Sequence, residues 1–198
     1  STSLVMRSSQ RRIATAIRTG RRSAWPSGSC SCCFLISGWS EAIPIYLRST
    51  FIGLSAGGIA LGFDQTTKAV ATANAETLTG GVSVFPGFNL VFLRNDGVSF
   101  GMLSGSVPGL LVVLALAICC WLMAILLQTR NRIEAAGCGL IIGGALGNVL
   151  DRLRQGAVTD FLDFYAGAWH WPAFNLADTF IFCGVAALCT SMSRAKPS

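Results

Sequence analysis

The chain has 198 residues, 52% hydrophobic and only 12% charged, with a mean hydropathy of +0.58. Ordinary soluble domains carry about 25% charged residues, so the composition excludes a typical soluble enzyme and leaves one compact domain of a few spanning helices. The net charge of +6 is uneven: seven of the 15 basic residues (Arg7, Arg11, Arg12, Arg18, Arg21, Arg22 and Arg48) precede Phe51, opposed there only by Glu41.

That basic run lacks interleaved aromatics and precedes a hydrophobic span. It reads as a cytoplasm-facing signal, and no nucleic-acid partner is expected. Residues 1–45 are rich in Ser, Arg, Gly and Thr and show poor periodicity. They are read as a basic, disordered extension, either a cytoplasmic arm or translated sequence upstream of the true start. Cys30, Cys32 and Cys33 lie there as C-S-C-C, with no second Cys/His cluster to complete a zinc site. No metal and no cofactor are therefore expected.

Four apolar segments follow, at about Ile45–Phe63, Val107–Leu127, Ala135–Leu150 and Ala173–Met192. The second has no charge. The third is short for a bilayer of about 30 Å and should continue as helix into the polar residues beyond. Pro172 is suitably placed at the start of the fourth. Cys119, Cys120, Cys138, Cys183 and Cys189 occur in or beside these runs, where cysteine acts as a small hydrophobe. Arg130, Arg132, Arg194 and Lys196 mark the same side as the basic amino terminus, the cytoplasm. Residues 64–106 and 151–172 then lie outside, although Lys68, Arg94, Arg152 and Arg154 weaken the contrast.

From Glu76 to Gly101 the runs V-S-V-F and N-L-V-F-L, broken by Pro86-Gly87, suggest a small sheet on the outer surface. Such a platform suits an extended peptide held by backbone hydrogen bonds. Gly139, Gly143 and Gly147, spaced by four, give the third segment a flat face for close helix approach. Packing within the chain is preferred to a dimer contact, so a monomer is expected.

Charges beside spans need a reason. Asp64 and Lys68 share a helix face, as do Asn148 and Arg152, with Asp151 on the neighbouring stripe beside Gly147. Each set reads either as an interfacial ion pair or solvated helix end, or as part of a site. Asn95, among glycines around Phe100, reads as a turn returning the chain to the membrane. Asp160 and Asp163 follow beside aromatic residues. Asn175 and Asp178 are three apart at the start of the fourth span and point the same way. Asp178 alone reads most simply as an acid favoured by a helix amino terminus. Two carboxyls sharing one proton form a hydrolytic pair that needs neither metal nor nucleophilic side chain. His170, between Trp169 and Trp171, is the only histidine.

The ordered motifs D-Q-T-T-K (64–68), N-D-G-V-S-F-G (95–101), G-N-V-L-D-R-L-R-Q-G-A-V-T-D-F (147–161) and F-N-L-A-D (174–178) resemble the lipoprotein signal peptidases, or signal peptidase II. The resemblance covers about residues 46–193 and has no counterpart for the first 45; Val98 and Ser99 depart from the small alanines common in relatives. It implies an all-α membrane protein of four transmembrane helices with a small extracytoplasmic β-cradle, and a cytoplasmic tail at 194–198. It further implies an aspartyl endopeptidase of the bacterial inner membrane. The enzyme would cut prolipoproteins before a diacylglyceryl-modified cysteine, with membrane lipid as neighbour. By the same resemblance Asp160 and Asp178 are the catalytic pair, and Asp64, Lys68, Asn95, Gly97, Asn148, Arg152 and Asn175 line the site. The alternatives, a small proton-relaying transporter or a membrane-bound DNA-binding protein, account for fewer of these residues.

Alternating apolar runs and basic loops predict that both termini face the cytoplasm. Reporter fusions after Gln128 and after Ser198 should report cytoplasm, and a fusion near Gly167 the outside. An outside signal at the carboxyl terminus overturns four spans.

Overall fold

The structure is a computed structural model that describes residues 31–96 and 107–194, with side chains from 46 to 96 and from 109 to 193. The chain divides into two units, Ser1–Glu41 and Ala42–Ser198, and the second carries every side chain described below. The expected disorder of the basic arm and the C-S-C-C site fall outside these side chains.

The helices are α1 (Ser31–Ala73), the short α2 (Ala75–Thr79), α3 (Val107–Gln128), α4 (Arg132–Gln155) and α5 (Leu176–Arg194). Strands β1 (Val82–Phe85), β2 (Phe88–Asn95), β3 (Val158–Ala166) and β4 (Trp169–His170) form one antiparallel sheet in the order β1-β2-β3-β4. The fold is thus mostly helical with a small sheet. Among the described residues, three helices are long and apolar enough to cross a membrane: Gly109–Gln128, Arg132–Gln155 and Leu176–Ser193.

Burial ranks them. Within those spans, 56% of the α4 window is buried, against 17% for α3 and for α5, so α4 is the central helix. The outer helices turn large apolar side chains outward, among them Leu110, Val113 and Trp121 on α3 and Phe182 on α5. An outward apolar surface around a polar interior is what a hydrocarbon environment selects. Leu122 and Leu126 of α3 pack on Cys138, Ile141 and Ile142 of α4. Cys119 and Cys138 are buried as expected, whereas Cys120, Cys183 and Cys189 lie on outer faces.

The glycine face of α4 meets α1. A Cβ on Gly139 would strike the carbonyl oxygen of Gly53, and one on Gly143 the carbonyl oxygen of Gly57. One turn further along, the space over Gly147 is filled by the Asp64 carboxylate. The glycine stripe therefore serves an intramolecular helix pair and ends on a charged residue. At the other pole, Ser49 donates from Oγ to the Arg130 carbonyl at 3.1 Å, and Asn131 caps α4 by accepting from the Ile133 N–H at 2.9 Å.

Several sequence boundaries move. The first apolar segment belongs to a helix that starts at Ser31 and runs ten residues past Phe63, to Ala73. Residues 75–79 are helical, so the strands begin at Val82 rather than near Glu76. Asn175, not Pro172, opens α5: its Oδ1 accepts the Asp178 N–H at 3.1 Å. Residues 158–166 form a strand. Their β-branched and aromatic residues favour it, but Asp160 and Asp163, three apart, break any period-two pattern.

The helix seam yields a prediction. Gly139→Leu leaves no space at Gly53 and should lower stability in detergent by about 2 kcal/mol or more. Gly58→Ala, where a Cβ meets nothing within 4 Å, should leave the melting temperature unchanged or raised. Equal behaviour of the two variants would refute the seam.

Candidate active site

Three local features bring the polar residues together at one end of the bundle. First, β2 and β3 pair so that Asn95 faces Val158 and Leu93 faces Asp160, after a bulge between Leu90 and Leu93. Asn95 is therefore the diagonal neighbour of Asp160 on one face of the sheet, and its Nδ2 donates to Asp160 Oδ2 at 3.0 Å. Secondly, Phe174 pairs with Leu162 in an isolated bridge, with N–H to carbonyl distances of 2.9 and 3.0 Å. This bridge carries Asn175 back beside Asp160. Thirdly, Asn175 and Asp178 form a reciprocal cap on α5. Besides accepting the Asp178 N–H, Asn175 donates its own N–H to Asp178 Oδ2 at 3.3 Å, the logic of a capping box.

The two carboxyl groups are joined through amides. Asn175 Nδ2 donates to Asp160 Oδ1 at 2.6 Å. Asn148 Nδ2 donates to Asp178 Oδ1 at 2.9 Å, and its Oδ1 accepts from Asn175 Nδ2 at 3.3 Å. Lys68 Nζ donates to Asn148 Oδ1 at 2.8 Å and pairs with Asp64 Oδ2 at 2.9 Å and Asp151 Oδ2 at 3.0 Å. Asp64 Oδ1 accepts the Ala177 N–H at 2.9 Å, which ties α1 to the first turn of α5. Asp64, Lys68, Asp160 and Asn175 are 0%, 4%, 3% and 0% exposed.

Burial pushes the Asp160 carboxyl above its ordinary range, and the nearby Asp178 charge adds to this; the Asn95 and Asn175 donors and Lys68 pull the other way. Asp160 thus holds its proton more tightly than an ordinary carboxyl, close to a second carboxyl. Such a pair supplies a base for water and an acid for a carbonyl.

Of the expected site residues, Asp64, Lys68, Asn95, Asn148, Asp160, Asn175 and Asp178 fall into this one network. Arg152 sits at its edge, where Nη1 reaches the Asn148 carbonyl at 3.4 Å and the buried Nε has no protein partner. Gly97, with its neighbours Val98, Ser99 and Phe100, lies outside the described residues. Asp163 points away from Asp160, as an odd offset on a strand requires; it accepts from Asn89 Nδ2 at 3.2 Å and meets His170 Nδ1 at 2.9 Å. His170 is thus tied to Asp163 and stacked on Tyr165.

Two members were missed. Gln65 bridges Asp64 Oδ2, Asp151 Oδ1 and the Gly147 carbonyl. Asp151, 2% exposed, joins Lys68, Gln65 and β3. The stripe shared by Asp151 and Gly147 was the available signal, and it left a solvated helix end and part of a site equally open.

A family model described as "Signal peptidase (SPase) II" matches residues 57–194. The chain belongs to the signal peptidase II family. A "Lipoprotein signal peptidase" of Azoarcus sp. (strain BH72) is 46% identical over 140 residues, 68% of this chain and 78% of that protein. One of Anaplasma phagocytophilum (strain HZ) is 40% identical over 141 residues, 70% of this chain and 90% of that protein. A solved bacterial membrane enzyme, determined by the in meso method at 1.9 Å resolution, superposes with a TM-score of 0.65 at 26% identity; 73% of this chain covers 94% of it. The chain is accordingly a membrane-integral peptidase.

The raised Asp160 carboxyl has a sign. The folded state holds its proton more tightly than the unfolded chain. The resulting stabilisation is full below the unfolded pKa, about 3.9, and is lost as pH rises through the raised folded value. From about pH 4 upward, the melting temperature of the wild type should fall relative to that of Asp160→Asn. Parallel curves across that range would contradict the burial effect.

Proposed function

We propose that the chain removes the signal peptide from prolipoproteins by aspartyl hydrolysis at Asp160 and Asp178, cutting before a diacylglyceryl-modified cysteine. The observation that carries this reading is the amide bridge from Asp160 through Asn175 and Asn148 to Asp178. It holds two carboxyls near one another at the end of apolar helices, without a histidine or cysteine nucleophile in the network.

The chemistry follows from a shared proton. The ionised carboxylate takes a proton from a water as that water attacks the scissile carbonyl carbon. The protonated carboxyl donates to the carbonyl oxygen. Collapse of the tetrahedral diol breaks the C–N bond, and a proton passes to the leaving amine. The pair ends with one proton again. Asn95 and Asn175 hold the oxygens of Asp160, and Asn148 and the α5 cap hold those of Asp178, so little reorganisation accompanies the step.

The substrate explains the position. A diacylated cysteine sits in the outer leaflet while its signal peptide spans the bilayer, so the scissile bond lies at the outer boundary. In this reading α1 is a fourth span, both termini are cytoplasmic, and the membrane is the inner one. Support comes from the basic loops and from the packing of Gly53 and Gly57 of α1 against α4. Arg152 lines the substrate's approach and offers a planar fork for carbonyl or lipid oxygens. The sheet edge receives the extended segment around the cleavage site. The enzyme works as a single chain, since the glycine face that might pair two copies is occupied by α1.

Asp160→Asn and Asp178→Asn should each lower turnover of a diacylglyceryl-modified prolipoprotein about a thousandfold or more, near 4 kcal/mol, while lipopeptide binding survives. The double variant should be little worse than either single one. Asp163→Asn should lose far less. Near-normal turnover by either folded single variant rules out the pair.

A further inference from the structure

Asp151 belongs to none of the roles assigned above, yet it is almost fully buried at the outer end of α4. A buried carboxylate needs both a counter-charge and hydrogen-bond donors. Asp151 has them: Lys68 Nζ at 3.0 Å and the Thr159 N–H at 3.3 Å on Oδ2, and Gln65 Nε2 at 3.1 Å on Oδ1. The donors come from two elements, the Thr159 N–H from β3 and the other two from α1. The carboxylate is therefore clamped and cannot follow Lys68 if Lys68 moves.

Lys68 in turn has three N–H donors and three acceptors: Asp64 Oδ2, Asp151 Oδ2 and Asn148 Oδ1. An ammonium cannot accept a hydrogen bond. Whichever atom of the Asn148 amide faces it must be the oxygen. The amide NH2 then has one direction left, and it donates to Asp178 Oδ1 at 2.9 Å. A flipped Asn148 would set an NH2 against the ammonium and an oxygen against the Asp178 carboxylate, two repulsive contacts in place of two attractive ones. Holding Lys68 in register is what excludes the flip. Asp64 alone cannot do so: it lies on the same helix as Lys68, one turn away, and its other oxygen is committed to the Ala177 N–H. The anchor from a second helix is Asp151.

We propose that Asp151 is a positioning residue of the catalytic pair, acting through Lys68 and the Asn148 amide on Asp178. The inference rests on the assignment of Asp178 above, and adds a residue and a route that the catalytic motifs do not name. Asp151 touches no substrate in this scheme. Its negative charge keeps Lys68 in place and offsets the ammonium's field at the pair.

The test uses the full chain in detergent with a diacylglyceryl-modified prolipoprotein, active sites being counted by lipopeptide binding. Asp151→Asn should lower kcat about thirtyfold to a hundredfold per active site, with KM within about threefold. The pH profile of kcat should also move to lower pH, because Lys68 lowers the Asp160 pKa and loses one of its two opposing charges. A purely structural role would lower the number of active sites and leave the profile of the remainder in place. Should the single Asp151 variant fail to fold, Lys68→Gln combined with Asp151→Asn removes both charges of that pair, and Asp64 keeps the Ala177 N–H and Gln65 Nε2 as donors. That double variant should be no more than about threefold slower than Lys68→Gln alone, since both act on one amide. Folded Asp151→Asn with wild-type kcat and pH profile would overturn the proposal, as would a double variant at least about tenfold slower than Lys68→Gln. If Asp178→Asn is itself active, the catalytic assignment has failed. If Asp178→Asn is inactive and Asp151→Asn behaves as wild type, the positioning role alone has failed.

Discussion

The buried ammonium of Lys68 is the interaction on which the site depends. Removing one charge from water costs several kcal/mol even after relaxation, and four carboxyl groups (Asp64, Asp151, Asp160 and Asp178) collect in the same region. Without Lys68, Asp64 and Asp151 would be buried anions with no counter-charge between them. Two of the four, Asp64 and Asp151, take the ammonium directly. The remaining two see it only through the neutral amide of Asn148 or at longer range. This division separates the acids into a pair that shares the ammonium and a pair left free to share a proton. Had Lys68 contacted Asp160 or Asp178 directly, it would have fixed that carboxyl as an anion and removed its capacity to exchange protons.

Close packing of α1 on α4 makes the ammonium's burial possible. At Gly139 and Gly143 the helices meet backbone to backbone, and at Gly147 the gap widens just enough to admit the Asp64 carboxylate. Any side chain at Gly147 would expel that carboxylate, and with it the acceptor for the Ala177 N–H at the head of α5. The same glycine stripe therefore sets the helix distance in the apolar region and the ion-pair geometry at the boundary. Repeats of four residues put both jobs on one face.

Much of this was legible in the sequence, for reasons that differ by element. The long apolar runs announced α3, α4 and α5, because they combine scarcity of charge with high hydropathy over that length. Motif order identified the family, and all the described members of its site set proved to be neighbours. What escaped was the means of assembly. β3 carries two acids among its aromatics, and because they sit three apart, one on each face of the strand, no period-two pattern marks it. The bridge between Leu162 and Phe174 is a long-range backbone contact with no side-chain signature. Asp151 could not be told from a solvated helix end, and Gln65 drew no reading of its own, because their partners lie about 85 positions away in the chain. Charges were recognised pair by pair along a helix; the closing of three such pairs into one cluster needed the fold.

The simplest reading of Asp178, an acid at a helix amino terminus, and its proposed role in hydrolysis are not competing accounts. Its Oδ2 receives the Asn175 N–H as part of the cap, and its Oδ1 receives Asn148. An aspartate in a flexible loop would have to lose side-chain freedom on reaching the transition state. One held by a reciprocal cap has lost it already during folding. The cap also fixes Asn175, whose Nδ2 is the link to Asp160. A single local structure, the four residues Asn175–Asp178, therefore orients one carboxyl through its backbone and the other through its amide. The capping role is how the chemistry is positioned, and a change that spared the carboxylate but broke the cap at Asn175 would disturb both acids at once.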